Sequence, residues 1–161
     1  MNLTFAPEGR LQIDNARIIF RNFSGVKGPY NREGNRNFAV VIDDEEIAEA
    51  LIKEGWNVKI KPPREEGEAN FMYLPVKIHF SGRGPNVYLV TGDSVVPLYE
   101  DNIGRLDRVS ISSVDMDLRP YDWEVSGRTG RTAYLQALRV IHELDRFAAE
   151  YADNADEETP F

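Results

Sequence analysis

Residues 109–144 read VSISSVDMDLRPYDWEVSGRTGRTAYLQALRVIHEL, two alternating apolar runs joined by a Gly-rich, basic connector at 126–131. In the first run the apolar side chains occupy odd positions up to Ile111 and even positions from Val114. The two-residue period of a strand therefore slips between them, as it does at a β-bulge where a strand bends sharply. The second run, 132–144, has the pattern of an antiparallel partner. Bent, paired strands of this kind are typical of small β-barrels.

The segments before this hairpin indicate further strands. Leu11–Phe23 alternates as one long strand, and 36–42 resumes after a loop rich in Gly, Pro and Asn, which predicts a hairpin with a long tip. Residues 73–80 and 86–90 predict a second hairpin around a Gly- and Pro-rich turn. With a short strand at 57–61, the pattern predicts about six or seven strands.

One helix is predicted over about 44–54. Asp43 and Glu46 have the spacing of an acidic capping box, and Gly55 stands where a C-terminal cap belongs. The segment 62–68 contains two prolines and several charges, so we expect an irregular, mobile loop there. One helix among this many strands favours a mainly β fold, a single antiparallel barrel with inserted loops, because a doubly wound sheet would require several more helices.

Composition limits the class of protein. A chain of 161 residues with 42% hydrophobic residues fits one domain with its own core. It has no apolar run of about 18 residues and no basic and apolar leader, so we expect a soluble intracellular protein without a membrane partner. Zero Cys and only two His exclude disulfide frameworks, thiolate zinc sites and His-rich metal sites.

The net charge of −8 would ordinarily argue against a nucleic-acid partner. Five of the 27 acidic side chains and none of the 19 basic ones lie in residues 148–161, which leaves residues 1–147 with a net charge of −3. We therefore expect a folded domain over 1–147 and a flexible acidic C-terminal tail over 148–161.

Sequence motifs for catalysis are absent. There is no Gly-x-Ser-x-Gly elbow, no Walker loop and no pair of His at ligand spacing. Asp115 and Asp117, with Asp122 nearby, are a candidate carboxylate pair for a metal-dependent nuclease, because two oxygens on one strand face can bridge Mg²⁺. We favour a solvated strand face opposite Val114 and Met116 instead, since the residues alternate. We expect no enzymatic activity, no cofactor and no bound metal.

Aromatic residues interleave with Arg, Asn and Gly at 21–25, 31–38 and 119–134. A surface that binds single-stranded nucleic acid needs flat rings on which bases stack and cations that hold the phosphates between them. The candidate DNA-binding residues are Arg21, Phe23, Tyr30, Arg36, Arg119, Tyr121, Trp123, Arg128, Arg131 and Tyr134. Four phenylalanines in apolar alternating runs are expected in the core instead, namely Phe20, Phe38, Phe71 and Phe80.

Four short motifs carry a resemblance to a known family. They are Arg119-Pro-Tyr-Asp-Trp, Gly127-Arg-x-Gly-Arg-x-Ala-Tyr-Leu, Arg21-Asn-Phe and Asn31-Arg-x-Gly-x-Arg-Asn-Phe. With them, residues 11–144 resemble phage-type single-stranded DNA-binding proteins, the OB-fold replication proteins of small phage and prophage genomes. The resemblance implies a single OB-fold-like barrel whose curved groove holds one DNA strand beside the closing hairpin. The predicted helix and the loop at 62–70 depart from the simplest OB pattern, so the strand order stays open.

The acidic tail carries a second resemblance. Residues 156–161, Asp-Glu-Glu-Thr-Pro-Phe, are similar to the acidic tip of bacterial single-stranded DNA-binding proteins. The resemblance implies docking on replication or recombination proteins, with a terminal ring in an apolar pocket and acids that steer the approach. The candidate partner-binding residues are Asp156, Glu157, Glu158, Pro160 and Phe161. An ordinary solubilising tail is the alternative.

Together these features predict a sequence-tolerant single-stranded DNA-binding protein that coats and protects DNA in phage replication or recombination, in the cytoplasm of a bacterial host. Two alternatives stay open. One is a metal-dependent nuclease or other DNA-processing enzyme that uses Asp115 and Asp117, and the other is a phage structural or adaptor module that uses the barrel only for protein contacts. The sequence does not determine the oligomeric state, and a homo-oligomer is one alternative.

Overall fold

The computed structural model describes residues 1–82 and 84–144. Within them lie ten β-strands, one α-helix and two short 3₁₀ turns, Pro7–Gly9 and Ile103–Asp107. The helix is α1 (Glu45–Lys53), and the strands in chain order are β1 (Asn2–Phe5), β2 (Leu11–Ala16), β3 (Ile18–Asn22), β4 (Arg36–Ile42), β5 (Lys59–Lys61), β6 (Phe71–Ile78), β7 (Asn86–Thr91), β8 (Ser94–Leu98), β9 (Ile111–Val125) and β10 (Arg128–His142).

The hairpin of β9 and β10 is the longest ladder in the fold. Each strand has 15 residues, and the connection is only Ser126 and Gly127, which both have positive φ values of 51° and 80°. Positive φ at both central residues is the geometry that matches the twist of a two-residue hairpin. The predicted connector at 126–131 is therefore too long, because residues 128–131 already belong to β10.

Two irregularities bend this ladder. Ile111 pairs with His142 and Ser113 with Ile141, so Ser112 is the extra residue of a bulge, which confirms the predicted slip. A second, unpredicted slip lies in β10, where Gln136 has no partner between the pairs of Leu135 and Ala137. Each slip moves the following side chains to the other face of the sheet.

The sheet runs in the order β1, β2, β9, β10, β6, β4, β3. In addition, β7 pairs with β10, β8 pairs with β7, and β5 pairs with β6. No ladder joins the two ends of this path within the described residues. However, β3 at one end of the path is separated only by Arg17 from β2, the second strand from the other end, so β2 and β3 are the halves of one bent segment. The predicted single strand Leu11–Phe23 is interrupted there, because its first half pairs with β9 and its second half with β4. The predicted mainly β, OB-fold-like class is confirmed.

The predicted hairpin of 73–80 and 86–90 is wrong. β6 and β7 both pair in parallel with β10, one after the other along the same edge, with Val76 opposite Ala133 and Val87 opposite Leu138. A strand as long as β10 offers more edge than one short strand fills, so two successive strands share it. The antiparallel partner of β7 is β8.

The helix α1 is confirmed, with a different N-cap. The carboxylate of Asp44, not Asp43, accepts a hydrogen bond from the Glu46 backbone N–H at 2.8 Å. At the other end Gly55 has φ +93°, and the N–H groups of Gly55 and Trp56 donate to the carbonyls of Ile52 and Leu51. This pair of bonds is the Schellman motif that a glycine in the left-handed region permits.

Most strands contribute to one apolar core, against which α1 packs through Ala48 and Leu51. Phe38 lies in this core as predicted, and Phe80 packs at its margin. Phe20 and Phe71 do not, since they are 60% and 38% exposed. The reason is local geometry: Phe20 has φ +53°, and Phe71 begins the outward-facing set of β6. Among the described residues, no helix has the length and apolar character that a membrane span requires.

Candidate nucleic-acid interface

The outer side of the β9–β10 hairpin gathers five of the predicted residues. Because side chains alternate along paired strands, Arg119 and Tyr134 face the same side as Tyr121 and Trp123. Arg128, which pairs with Val125, shares this side near the tip, whereas Leu118 and its partner Leu135 point into the core. We call this set the hairpin face, and its members are Arg119, Tyr121, Trp123, Arg128 and Tyr134.

The rings of the hairpin face are held before any ligand binds. The Arg119 guanidinium lies 5.0 Å from the centroid of the Tyr134 ring, and Tyr121 contacts the same ring edge-on at 6.0 Å. A cation over a ring and an edge-to-face ring pair both fix orientation without burying the ring. Tyr121 accordingly keeps 55% of its surface exposed.

Trp123 lies across its glycine partner. Trp123 pairs with Gly130, and a Cβ atom at position 130 would collide with the indole ring. The ring therefore occupies the space that a side chain would take on β10, and it is still 38% exposed. Only glycine at position 130 permits this arrangement.

A row of polar side chains continues the hairpin face across the sheet. On the outer side, Tyr134 of β10 is the partner of Lys77 on β6, and Lys77 is the partner of Asn37 on β4. Neighbouring strands lie about 4.8 Å apart, so the four residues from β9 to β4 extend over about 15 Å. We call this set the cross-strand row, and its members are Arg119, Tyr134, Lys77 and Asn37.

The loop 23–35 stands at the far end of the cross-strand row. Asn37 donates to the Asn31 side chain at 2.9 Å, and the Asn31 amide in turn donates to three backbone carbonyls, those of Val26, Arg32 and Asn35. This network orders a loop whose tip carries Tyr30, which is fully exposed. An ordered loop can present a ring at a lower entropic cost than a loop that orders on binding.

A cluster of exposed aromatic residues further along β6 was missed from the sequence. The ring centroids of Phe20 and Phe71 lie 5.4 Å and 5.5 Å from that of Tyr73, and the Lys61 ammonium is 5.7 Å from the Tyr73 centroid. We call these four residues the aromatic cluster. Tyr73 and Lys77 lie on the same side of β6, so the cluster and the cross-strand row share one surface. The sequence does contain a signal for this cluster. Lys59-Ile-Lys61 supplies cations, and the aromatic-rich strand β6 follows it in the chain.

Comparison with known proteins identifies the family. The family profile described as "Putative phage ssDNA-binding domain" matches residues 3–159. The chain belongs to this family. No curated protein matches the sequence.

Solved structures of the single-stranded DNA-binding protein from bacteriophage Enc34 share its fold. The C-terminally truncated form has a TM-score of 0.58 at 12% identity and covers 89% of this chain and 91% of that one. The form in complex with ssDNA has a TM-score of 0.55 at 14% identity, with 91% and 93% covered. A third structure of the Enc34 protein has a TM-score of 0.58 at 12% identity, with 98% and 94% covered.

Membership of the phage ssDNA-binding family confirms the prediction that the protein is not an enzyme. Of the two acids in the nuclease alternative, Asp115 has a structural role. Asp115 accepts the backbone N–H of Asn15 at 2.8 Å, where the pairing of β2 with β9 is irregular. Among the described residues, no group of three or more His, Cys, Asp or Glu is arranged to hold a metal ion.

Two of the predicted residues of this phage ssDNA-binding domain are structural. Phe23 is fully buried and its ring stacks on Phe38 at 5.4 Å, so its prediction as a stacking platform for DNA is wrong. The slip between β3 and β4 after Ile19 turns it inward. Arg21 donates to the carbonyls of Leu106 and Val109 at 2.8 and 2.7 Å, which ties the second 3₁₀ turn to β3.

Two further arginines are held by carboxylates. Arg36 lies 3.6 Å from Glu100 and over the Phe80 ring. Arg131 is on the side of the hairpin opposite the hairpin face, where its Nε donates to Asp122 at 2.7 Å. This hydrogen bond holds the pKa of the Asp122 carboxyl below its usual value, and it raises the pKa of Arg131. The predicted partner-binding residues Asp156, Glu157, Glu158, Pro160 and Phe161 lie outside the described residues.

Tyr121→Ala and Trp123→Ala should each weaken binding to single-stranded DNA by about 1–3 kcal/mol, because each removes one stacking platform. The loss should be similar for all base sequences. Fluorescence anisotropy with labelled oligonucleotides measures it, and circular dichroism checks that the fold is retained. The matched control is Tyr99→Ala, which removes an exposed ring outside the hairpin face. Affinities within twofold of the unmodified protein would exclude these rings from the interface.

Proposed function

We propose that the protein binds single-stranded DNA along the outer side of its sheet, with little dependence on base sequence. The observation that carries this proposal is the cross-strand row, which connects the rings of the hairpin face to the loop that presents Tyr30. Cations alternate with rings along this surface, with Arg119 beside Tyr134 and then Lys77. Such alternation matches a strand in which phosphates alternate with bases.

The same chemistry gives a preference for single strands. Rings can stack only on bases whose faces are free, and in a duplex those faces are already stacked inside the helix. Every base has such a face, so stacking tolerates all sequences. The four aromatic residues of the hairpin face and the tip of the loop, Tyr121, Trp123, Tyr134 and Tyr30, are therefore platforms rather than readers of sequence.

The cellular role that fits this chemistry is to coat and protect single-stranded DNA during phage replication or recombination in the bacterial cytoplasm. The acidic tail then recruits partner proteins, through an apolar pocket for Phe161 and a basic rim for Asp156, Glu157 and Glu158. The support for recruitment is the similarity of residues 156–161 to the acidic tip of bacterial single-stranded DNA-binding proteins.

Binding itself is tested by titrating the protein with oligo-dT, a mixed single strand, the corresponding duplex and RNA at low salt, with tryptophan fluorescence as the signal. We expect quenching by both DNA single strands at similar concentrations and much weaker binding of the duplex. Equal affinity for the duplex would contradict a stacking surface. No response to any nucleic acid would favour the adaptor alternative.

The aromatic cluster should extend the DNA path. Lys77 lies six positions after Phe71 on β6, which corresponds to about 20 Å of strand. Phe71→Ala should therefore have little effect on a DNA strand of about four nucleotides and a growing effect up to about sixteen nucleotides, the range of OB-fold site sizes. Anisotropy with an oligonucleotide length series measures this. Phe5→Ala, which removes another exposed phenylalanine, is the control. A penalty independent of length would place the cluster outside the path.

Arg119→Gln and Arg128→Gln should each reduce the steepness of the salt dependence. A contact with one phosphate of a single strand contributes about 0.7 to the slope of log K against log salt, because binding releases condensed counterions. Titrations at several salt concentrations give the slope, and Arg108→Gln, an exposed arginine elsewhere, should leave it unchanged. A loss restricted to one base sequence with an unaltered slope would indicate base readout instead.

The acidic tail should compete with DNA. Tethered carboxylates act as an intramolecular polyanion at high effective concentration, so removal of 152–161 should raise DNA affinity, most strongly at low salt. Deletion of Phe161 alone should leave DNA binding unchanged and abolish capture of a host replication protein. Equal DNA affinity of intact and truncated proteins at low salt would refute the competition. Unaltered capture after deletion of Phe161 would refute the docking separately.

A further inference from the structure

Arg131 has the charge of a phosphate ligand but the surroundings of a structural residue. Its side chain is 22% exposed, and its Nε and Nη2 atoms donate to the two carboxylate oxygens of Asp122 at 2.7 and 3.2 Å. Its guanidinium also lies 5.4 Å from the centroid of the Trp56 ring. The carboxylate engages two of the five N–H donors of the guanidinium and balances its charge, and the Trp56 ring lies against its flat surface, so less of the group is free for a phosphate or a base.

Trp56 connects this arrangement to the helix. The residue is buried, it follows the glycine cap of α1, and its N–H donates to the Leu51 carbonyl at 3.0 Å. Its backbone also forms an isolated parallel bridge with Arg131. The end of α1 therefore fixes the position of the indole ring. The contact of this ring with Arg131 in turn fixes β10 relative to the helix.

The hairpin needs such a support because its tip is only a two-stranded ribbon. β2 pairs with β9 no further than Leu118, and β6 pairs with β10 only at Ala133 and Tyr134. Beyond these points, within the part of the chain that the structure describes, β9 and β10 pair only with each other, apart from the bridge to Trp56. Isolated ribbons are marginally stable in water. The orientation of Tyr121 and Trp123 therefore depends on what holds the ribbon.

We infer that Arg131 is a positioning residue for DNA binding, which orients the hairpin face through Asp122 and Trp56 without touching the DNA. The inference rests on the proposed function, because an orientation matters only if the hairpin face binds DNA. It replaces the expectation that Arg131 contacts phosphate. Arg131 and the hairpin face lie on opposite sides of the ribbon, so a DNA strand stacked on the rings of the hairpin face lies on the side away from Arg131.

Substitutions that keep the charge separate the two roles. A phosphate contact tolerates lysine, whereas a bidentate pair stacked on a ring does not. We expect Arg131→Lys and Arg131→Gln to lower affinity for oligo-dT equally, by about fivefold, which corresponds to one weakened base stack. The salt slope should stay unchanged in both. Arg128 provides the matched comparison, since Arg128→Lys should retain affinity and slope while Arg128→Gln should lower both.

Removal of the Asp122 carboxylate should change DNA affinity in opposite directions for the two roles of Arg131, phosphate contact and positioning. If Arg131 bound phosphate, Asp122→Asn would free it, and both affinity and slope would rise. In the positioning role, Asp122→Asn lowers affinity by a similar factor of about fivefold, because the ribbon loses one of its fixed contacts. Asp117→Asn removes a nearby carboxylate from the outer side of β9 and controls for general electrostatics.

Three readings complete the experiment. Circular dichroism melting shows that each variant is folded under the binding conditions, and a folded Arg131→Lys protein with normal affinity overturns the inference. A rise in affinity and slope for Asp122→Asn overturns it as well. The proposed function is tested separately, by binding of oligo-dT to the unmodified protein and by weaker binding to Tyr121→Ala. Failure of the proposed function can therefore be distinguished from failure of the inference about Arg131.

Discussion

The pairing of β9 with β10 is the constraint on which the rest of the structure depends. Two strands of 15 residues, paired except at two bulges, extend over about 50 Å, and their edges pair with β2, β6 and β7. The same alternation that sends Leu118 and Leu135 into the core sends Arg119 and Tyr134 outward. Core and interface are therefore two consequences of one register. A shift of one residue would bury the cations and expose the leucines.

The outer side of β9 also shows how a protein with a net charge of −8 can accommodate a polyanion. Going along this side, Asp115 and Asp117 come first, and Arg119, Tyr121 and Trp123 follow. Acidic and basic positions are thus separated within a single strand. On β10, Arg139 stands opposite Asp115 and offsets its charge, whereas the exposed rings have Arg119 and Arg128 on their own side, which favours this part of the sheet for a DNA strand.

The sequence was sufficient to predict that the rings of the hairpin face are exposed, but it was insufficient to predict the positions of several other candidate side chains. The polar and charged neighbours of Tyr121 and Trp123 in the sequence made the exposure of these rings predictable. The outward position of Phe20 was not, because it depends on a left-handed backbone conformation within a strand. Phe23 was misassigned for a related reason, since an irregular pairing of β3 with β4 changes its face. The sequence assigns no face to Arg131, because the Gly-rich composition of 126–131 predicts a connector and faces alternate only within a strand.

The aromatic surface has a consequence for the protein on its own. Rings such as Phe20, Tyr30 and Tyr121 are exposed, and exposed apolar surface promotes association between molecules. A net charge of −8 opposes this, because like-charged molecules repel one another. Screening shortens that repulsion to about 3 Å at 1 M salt. The acidic composition therefore opposes association of the uncovered protein, and concentrated salt weakens this repulsion and phosphate contacts alike.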